Sequence, residues 1–288
     1  MFITTIHSIE SIPMLAKAGA DAIIVSIPYF SIRNTNIVPF EELPVWKEAC
    51  KQNNILLYVN FLRFCMESDV QAMKSALNTL KEVDVDGIYY ADEGVYYEAS
   101  QLGIASKLIY QPETLVTSHY DVDFYLNQGV QSVSLAHELS LEEIGSIARH
   151  TPNIEILIHG YFSIMYSRRP LVSNYLEVVD HMDSFLINHR YDLIEQTRSE
   201  RLPIVQDESG THVFAASPIQ SFSEMQALSQ MGISRYRIDA IFTNDETTAC
   251  LLKNYRLALE GKPFSICDTQ ASNHLYHQET IKKKEGQS

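Results

Sequence analysis

The chain has 288 residues and a formal net charge of −14. That length is enough for a substantial core in one domain, and that charge argues against a stand-alone nucleic-acid binder, whose phosphate contacts need clustered Lys and Arg. No apolar run approaches the roughly 20 residues of a membrane span. The N-terminal MFITTIHSIESIP has neither the basic nor the long apolar region of a secretory signal, so the cytoplasm is the expected compartment and no membrane partner is expected.

Strands are expected near 2–6, 22–26, 55–60, 87–91, 107–110, 132–135, 154–158 and 235–239, and helices near 8–18, 40–52, 68–82, 94–102, 118–128, 140–150, 219–231 and 243–260. A recurring unit carries the assignment. In AKAGADAIIVS (16–26), KEVDVDGIYYA (81–91), LNQGVQSVSLA (126–136) and SQMGISRYRID (229–239), an amphipathic helix stops near Gly or Asp and a short apolar strand follows. Repeated helix-to-strand units without hairpin turns predict parallel strands with crossover helices. The expected fold is therefore α/β, a (β/α)8 TIM-like barrel, with a doubly wound open sheet as the alternative. Ser8, Ser140 with Glu143, and Thr243 are expected to open helices.

The alternation breaks between about 160 and 218. This stretch is too long for an ordinary loop, and DLIEQTRSERLPIVQDESGTHVFAAS reads as a small antiparallel insertion after the seventh strand, with Ser209-Gly210 as its tight turn. One barrel domain over 1–265 and a polar, frayed C-terminal tail over 266–288 complete the expectation.

Chemistry in such a barrel sits at the C-terminal ends of the strands. Those ends carry His7, Ser26, Tyr29, Asn60, Arg63, Asp92, Glu93, Gln111, Glu113, His137, Glu138, His159 and Asp239. Some would serve as helix caps, Asp92 and Glu93 among them. The densest segment is IEILIHGYFSIMYSRRPLVSNY (154–175). Its β-branched strand runs into His159-Gly160, then an aromatic loop ending in Arg168-Arg169. A histidine beside a glycine turn and two arginines suits an anion or acid/base site, although a capping histidine would look the same. Local basic patches are also expected at Arg198 and Arg201 and at Arg235 and Arg237. The four cysteines, Cys50, Cys65, Cys250 and Cys267, form no CxxC pair. They are expected neither to hold a metal or cluster nor to build a disulfide framework. There is no GxSxG, HExxH or Gly-rich phosphate loop.

The 154–175 segment resembles the signature of the U32 peptidase (collagenase-like) family: a hydrophobic strand, HG, a cysteine, a YSxR-like run and a second cysteine. His159, Gly160, Tyr166, Ser167 and Arg169 match, while Ser163 and Pro170 stand at the two cysteine positions and two further family cysteines are missing after Tyr175. AGADAIIVS with Arg33, YQPET, SLAHELS with Glu138 kept and His137 for an arginine, and Pro203, Asp207, Gly210 and Thr211 extend the resemblance from residue 16 to about 260. Asp239 stands for the acid of a family strand end whose following Gly and Arg are absent. The resemblance implies the short form that supports 5-hydroxylation of the tRNA wobble uridine, with prephenate as the source of chemistry and iron–sulfur clusters held by the family cysteines. For this chain it implies a cluster-less subunit working with a cysteine-rich U32 paralogue and with tRNA. The expected catalytic residues are His159, Glu138 and Asp239. The expected substrate-binding residues are Arg33, Asn60, Gln111, Glu113, His137, Tyr166, Arg168 and Arg169, with no metal ligand. Two other readings stand beside it: a peptidase, the family's label, for which the residues name no nucleophile or metal, and a non-catalytic scaffold or small-molecule-binding barrel.

Overall fold

The computed structural model describes residues 1–194, 196, 200–268 and 270–278. Arg198 and the Lys run near the C-terminus lie outside the described residues. In chain order the barrel begins with β1 (Phe2–Thr5), α1 (Ile12–Ala18), β2 (Ala22–Ser26), α2 (Leu43–Gln52), β3 (Leu56–Phe61), α3 (Val70–Val83), β4 (Gly87–Tyr90) and α4 (Glu93–Gln101). It continues through β5 (Leu108–Tyr110), α5 (His119–Asn127), β6 (Ser132–Ser134), α6 (Leu141–Ala148) and β7 (Ile154–Gly160). The insertion follows: β8 (Ser163–Ser167), α7 (Leu171–Val178), β9 (Arg190–Ile194), β10 (Arg201–Asp207) and β11 (Gly210–Phe214). The chain returns through β12 (Ile219–Gln220) and α8 (Met225–Gln230) to the last barrel strand, β13 (Arg235–Ile238), and α9 (Asp245–Leu259).

Among the described residues β1 to β7 and β13 are parallel neighbours. β13 pairs with both β7 and β1, so the sheet closes on itself. This is the expected TIM-like barrel, and the insertion is a separate antiparallel sheet ordered β8-β11-β10-β9. Helix ends follow local chemistry. Asp92 accepts from the Gly94 N–H at 2.7 Å, and Ser140 and Glu143 form the expected capping box over α6.

Five expectations are corrected. Asn244, not Thr243, caps α9, accepting from the Thr247 N–H at 2.8 Å. Residues 219–220, expected in a helix, pair antiparallel with Gly160 and His159 on β7. The insertion's two-residue turn is Glu208-Ser209, because Asp207 and Gly210 already face each other across the hairpin. Residues 271–278 are not frayed: Ser272 bridges to Ile219, and the Tyr276 ring is buried. Cys250 and Cys267, expected as free thiols, are joined by a disulfide. α9 and the segment after it bring them together, a proximity their sequence separation does not reveal.

Two apolar layers result. One lies between strands and helices, around residues such as Phe2, Leu77, Val95 and Leu252. The other fills the barrel with Ile3, Ala22, Ile24, Tyr58, Tyr89 and Ile109. The inner layer also contains charge. Glu155, with no exposed surface, accepts from the Tyr89 hydroxyl at 2.8 Å and lies 3.3 Å from Arg237 Nε and 3.7 Å from Arg235 Nε.

Alternation of β7 with β13 breaks at one point. Glu155 faces Arg235 and Leu157 faces Arg237, but Ile238 faces His159, leaving Ile158 as an extra residue. Such a bulge moves every later side chain to the other face. Just beyond it Gly160 holds φ +127°, and a Cβ there would lie 2.4 Å from the Asp239 carbonyl oxygen. Gly160→Ala is expected to lower stability by about 1–3 kcal/mol from backbone strain alone, with more from the contact. Urea denaturation checks this: the midpoint should drop with the slope unchanged, and an unchanged midpoint would mean the bulge is not needed.

Candidate functional site

The C-terminal mouth of the barrel holds a buried charged network centred on Arg33. The loop after β2 brings Arg33 in at φ +54°, and the loop after β5 brings Glu113 in at φ +66°. Both are left-handed conformations that side-chain-bearing residues rarely adopt and that concentrate at functional sites. The two side chains form an ion pair. Gln111 also donates to the Glu113 carboxylate at 2.7 Å. The other Glu113 oxygen lies 3.4 Å from His137 Nδ1, and His137 Nε2 accepts from Arg237 at 2.9 Å. Arg237 in turn lies 3.7 Å from Asp239. Asn60 donates to the Ile32 carbonyl at 2.7 Å, tethering the loop that carries Arg33.

Three cavities meet at Arg33. One of about 240 Å3 is lined by Arg33, Gln111, Glu113, Ser163 and Tyr166 with apolar neighbours. A second of about 90 Å3 runs under the insertion, between Arg33, Asn34, Asn188, Arg190, Asp207, His212 and the aromatic Phe214 and Phe242. A third of about 20 Å3 reaches down to Asn60, Tyr89, Arg237 and Asp239. A larger apolar cavity, about 650 Å3, lies away from this network between α7 and the insertion sheet.

The charge states follow from burial and neighbours. Burial pushes the His137 imidazole down to about 3, with Arg237 and Arg33 adding to the effect against Glu113. Burial alone would raise Glu113, but Arg33, aided by its other cationic neighbours, holds it ionised below its usual range. Asp239 is raised, mainly by burial, against the pull of Arg237 and Arg33.

The network gathers Arg33, Asn60, Gln111, Glu113, His137 and Asp239. Tyr166 joins from the insertion, donating to the Ser209 carbonyl at 2.9 Å and stacking on His212 at 4.7 Å. The expected arginine pair does not enter. Arg168 reaches the Phe64 carbonyl at 3.3 Å and lies 3.9 Å from Asp69, and Arg169 is exposed. Glu138 is exposed one residue past His137.

His159 is also elsewhere, because the bulge turns it out of the barrel. It sits buried in the helical layer, with Nδ1 3.2 Å from the Tyr255 hydroxyl and Nε2 3.5 Å from Asp268. The loop that was expected to deliver an imidazole and two guanidinium groups to a shared pocket therefore delivers Ser163 and Tyr166 instead. Ser163 donates to the Met165 carbonyl at 3.2 Å, with His159 on the other side of its own strand.

His212, Asp207, Arg237 and Glu155 complete the site without having been singled out as its members. A signal existed for Arg237. RYRID alternates charge at period two in a buried strand, which only a polar barrel interior tolerates. His212 could be placed only once β11 was known to pack over the mouth.

The donor set does not suit an iron–sulfur cluster. Ser163 and Pro170 occupy the two signature cysteine positions, and Cys250 and Cys267 are bonded to each other. Burial pushes the Cys50 and Cys65 thiols up to about 12, so neither offers a thiolate.

Peptidase family U32 matches residues 7–281, nearly the whole sequence, and the chain belongs to that family. It is 25% identical over 269 residues to tRNA hydroxylation protein P2 of Bacillus subtilis (strain 168), spanning 90% of this chain and 85% of that protein. It is 21% identical over 259 residues to tRNA hydroxylation protein P1 of the same organism, spanning 88% of this chain and 61% of that one. The solved structure of the U32 peptidase Mk0906 shares the fold, with a TM-score of 0.50 at 12% identity over 83% of this chain and 92% of that one.

The neutral state of His137 has a measurable consequence. Unfolded, it titrates near 6.5; folded, it stays neutral down to about 3. Between those values the unfolded chain binds one more proton, so stability falls as pH drops through the window, by about 1.4 kcal/mol per pH unit. Urea unfolding from about pH 7.5 to about pH 4.5 should show His137→Gln with a shallower loss than wild type, by about that slope. Parallel curves would mean that His137 protonates in the folded protein.

Proposed function

We propose that this member of peptidase family U32 supports hydroxylation of the tRNA wobble uridine, as a subunit that carries no iron–sulfur cluster of its own. Similarity to P2 over 90% of the chain supports the reading. So does the occurrence of two such proteins, P1 and P2, in one organism, since a chain without cluster ligands needs a partner that has them. That partner would be a cysteine-rich U32 paralogue.

The observation that carries the proposal at the level of chemistry is the strained, buried Arg33–Glu113 pair at the junction of three cavities. A guanidinium held by one carboxylate and opening onto cavity space is built to take a second, external anion in bidentate fashion. A small carboxylate co-substrate such as prephenate fits that role. Arg237 and the neutral His137 sit behind it, the imidazole already accepting from Arg237. Asp239, its carboxyl raised by burial, is the candidate for proton exchange in this network. His159 is assigned no catalytic part here, because its side chain lies in the helical layer, and none is assigned to the exposed Glu138. Peptide hydrolysis is less favoured, since the Ser163 hydroxyl is committed to the Met165 carbonyl.

Deleting the gene in its host is expected to abolish 5-hydroxyuridine at the wobble position, read by mass spectrometry of digested tRNA. Wild type should restore it, and so should His159→Gln. Arg33→Met and Arg237→Met should each restore about a tenth or less. Unchanged 5-hydroxyuridine in the deletion strain would end the proposal.

A further inference from the structure

The disulfide between Cys250 and Cys267 plays no part in the mouth or in the function proposed above. It joins α9 to the segment that follows, across a sequence separation of 17. Neither cysteine is buried, and the stretch 261–266 leading to Cys267 is exposed throughout. The bond is therefore within reach of an attacking thiolate.

The segment it fastens braces the irregular end of β7. Asp268 lies 3.5 Å from His159 Nε2. The Gln220 N–H donates to the Ser272 carbonyl at 2.9 Å, and the Ser272 N–H to the Pro218 carbonyl at 2.9 Å. Gln220 Nε2 donates to the Ala271 carbonyl at 2.9 Å, and the buried Tyr276 shares a hydrogen bond of 2.7 Å with Ser221. Ser272 thus lies beside β12 in a parallel bridge, and β12 pairs with β7 at Gly160 and His159. The His159 carbonyl in turn accepts from the Asp239 N–H at 2.9 Å. One continuous run of contacts therefore leads from the disulfide through β12 and the bulge to Asp239 in the mouth.

These contacts are mostly single hydrogen bonds, each of small net worth, on a segment near the end of the chain, where ordering depends on a tether. The Ser265 N–H is held by Asn254 Oδ1 at 2.7 Å, an anchor that does not change with redox state. The covalent tether acts just beyond it, and losing it lowers the effective concentration of the segment at β12.

We propose that Cys250 and Cys267 form a redox clasp: reduction by a cellular dithiol frees the segment beyond Ser265 from β12 and loosens the strand end that carries His159 and meets Asp239. The reducing surroundings are those a tRNA-modifying chain meets, and to that extent the inference rests on the reading above. Disulfides in such surroundings are usually transient or redox-sensing. A thiolate of the dithiol attacks one sulfur, forming a mixed disulfide and expelling the other cysteine as thiolate. The second thiolate of the dithiol then breaks the mixed disulfide and expels the remaining cysteine. Two electrons pass to the chain, the two protons given up by the dithiol go to the cysteine thiolates, and the dithiol leaves as a disulfide.

Hydrogen–deuterium exchange on the full chain, before and after treatment with reduced thioredoxin, tests the clasp. Alkylation after denaturation should count two thiols before treatment and four after it. The Gln220, Ser272 and Asp239 amides should then exchange at least about tenfold faster, while those of β3 stay unchanged. Cys250→Ser combined with Cys267→Ser should exchange like the reduced protein with or without thioredoxin. The wild-type comparison needs no variant, so it decides the matter even if the double variant does not fold. Four thiols in the protein after air oxidation, a bond that survives thioredoxin, or equal exchange in the two redox states would each overturn the proposal. None of these readouts uses tRNA. Unchanged 5-hydroxyuridine in the deletion strain would end the tRNA reading and leave the exchange result standing, and redox-independent exchange would do the reverse.

Discussion

The ion pair between Arg33 and Glu113 is the constraint around which the mouth of this barrel is arranged. Each residue occupies a left-handed backbone conformation, at a cost of about 1–3 kcal/mol apiece. Neither loop would hold that shape for packing alone, because neither side chain is apolar. The pair is worth the strain only if its charges are fixed in position, and everything nearby serves to fix them. Asn60 ties down the backbone beside Arg33, Gln111 takes a share of the carboxylate, and His137 stays neutral so that it can accept from Arg237 rather than repel it. Breaking such a buried pair leaves an uncompensated charge. The network is therefore best understood as one unit spread over five strand ends.

The barrel was legible in the sequence because its signals are local. Apolar runs of strand length, glycine or aspartate after each helix and an interruption at about 160 are all properties of neighbouring residues. Most of the mouth was legible for the same reason: once the strands are placed, Asn60, Gln111, Glu113, His137 and Asp239 fall at their C-terminal ends. What local reasoning could not provide is the face of a side chain across an irregularity. One extra residue at Ile158 turns His159 from the lumen to the helices, and alternation counted along β7 gives no warning, since every residue there is buried. The disulfide and the packed Tyr276 were equally hidden, as both depend on where the chain goes after α9.

The turned histidine has a structural role of its own. Its ring touches Tyr255, whose hydroxyl donates to the Ile158 carbonyl at 2.9 Å and accepts from the Ser221 N–H at 3.1 Å. Asp268 approaches from the far side, and Ser221 and Tyr276 share a hydrogen bond of 2.7 Å. The bulge in β7 thus opens its backbone and closes it again with side chains from α9 and the C-terminal segment, satisfying buried polar groups that would otherwise be stranded. Gly160 and Asp239 lie at the same bulge. The mouth and the C-terminal segment are therefore two sides of one irregular strand end.

A net charge of −14 and the proposed role in tRNA hydroxylation are compatible under one division of labour. Affinity for RNA comes mostly from phosphate contacts and sequence discrimination from the base. A chain of this net charge is a poor source of the first. The missing thiolates point the same way. On the proposed function, electron chemistry would come from a partner, and the same partner could carry the cationic surface that holds the backbone. Orientation of one small anion at Arg33, where three cavities meet, is the part that the proposed function leaves to this barrel.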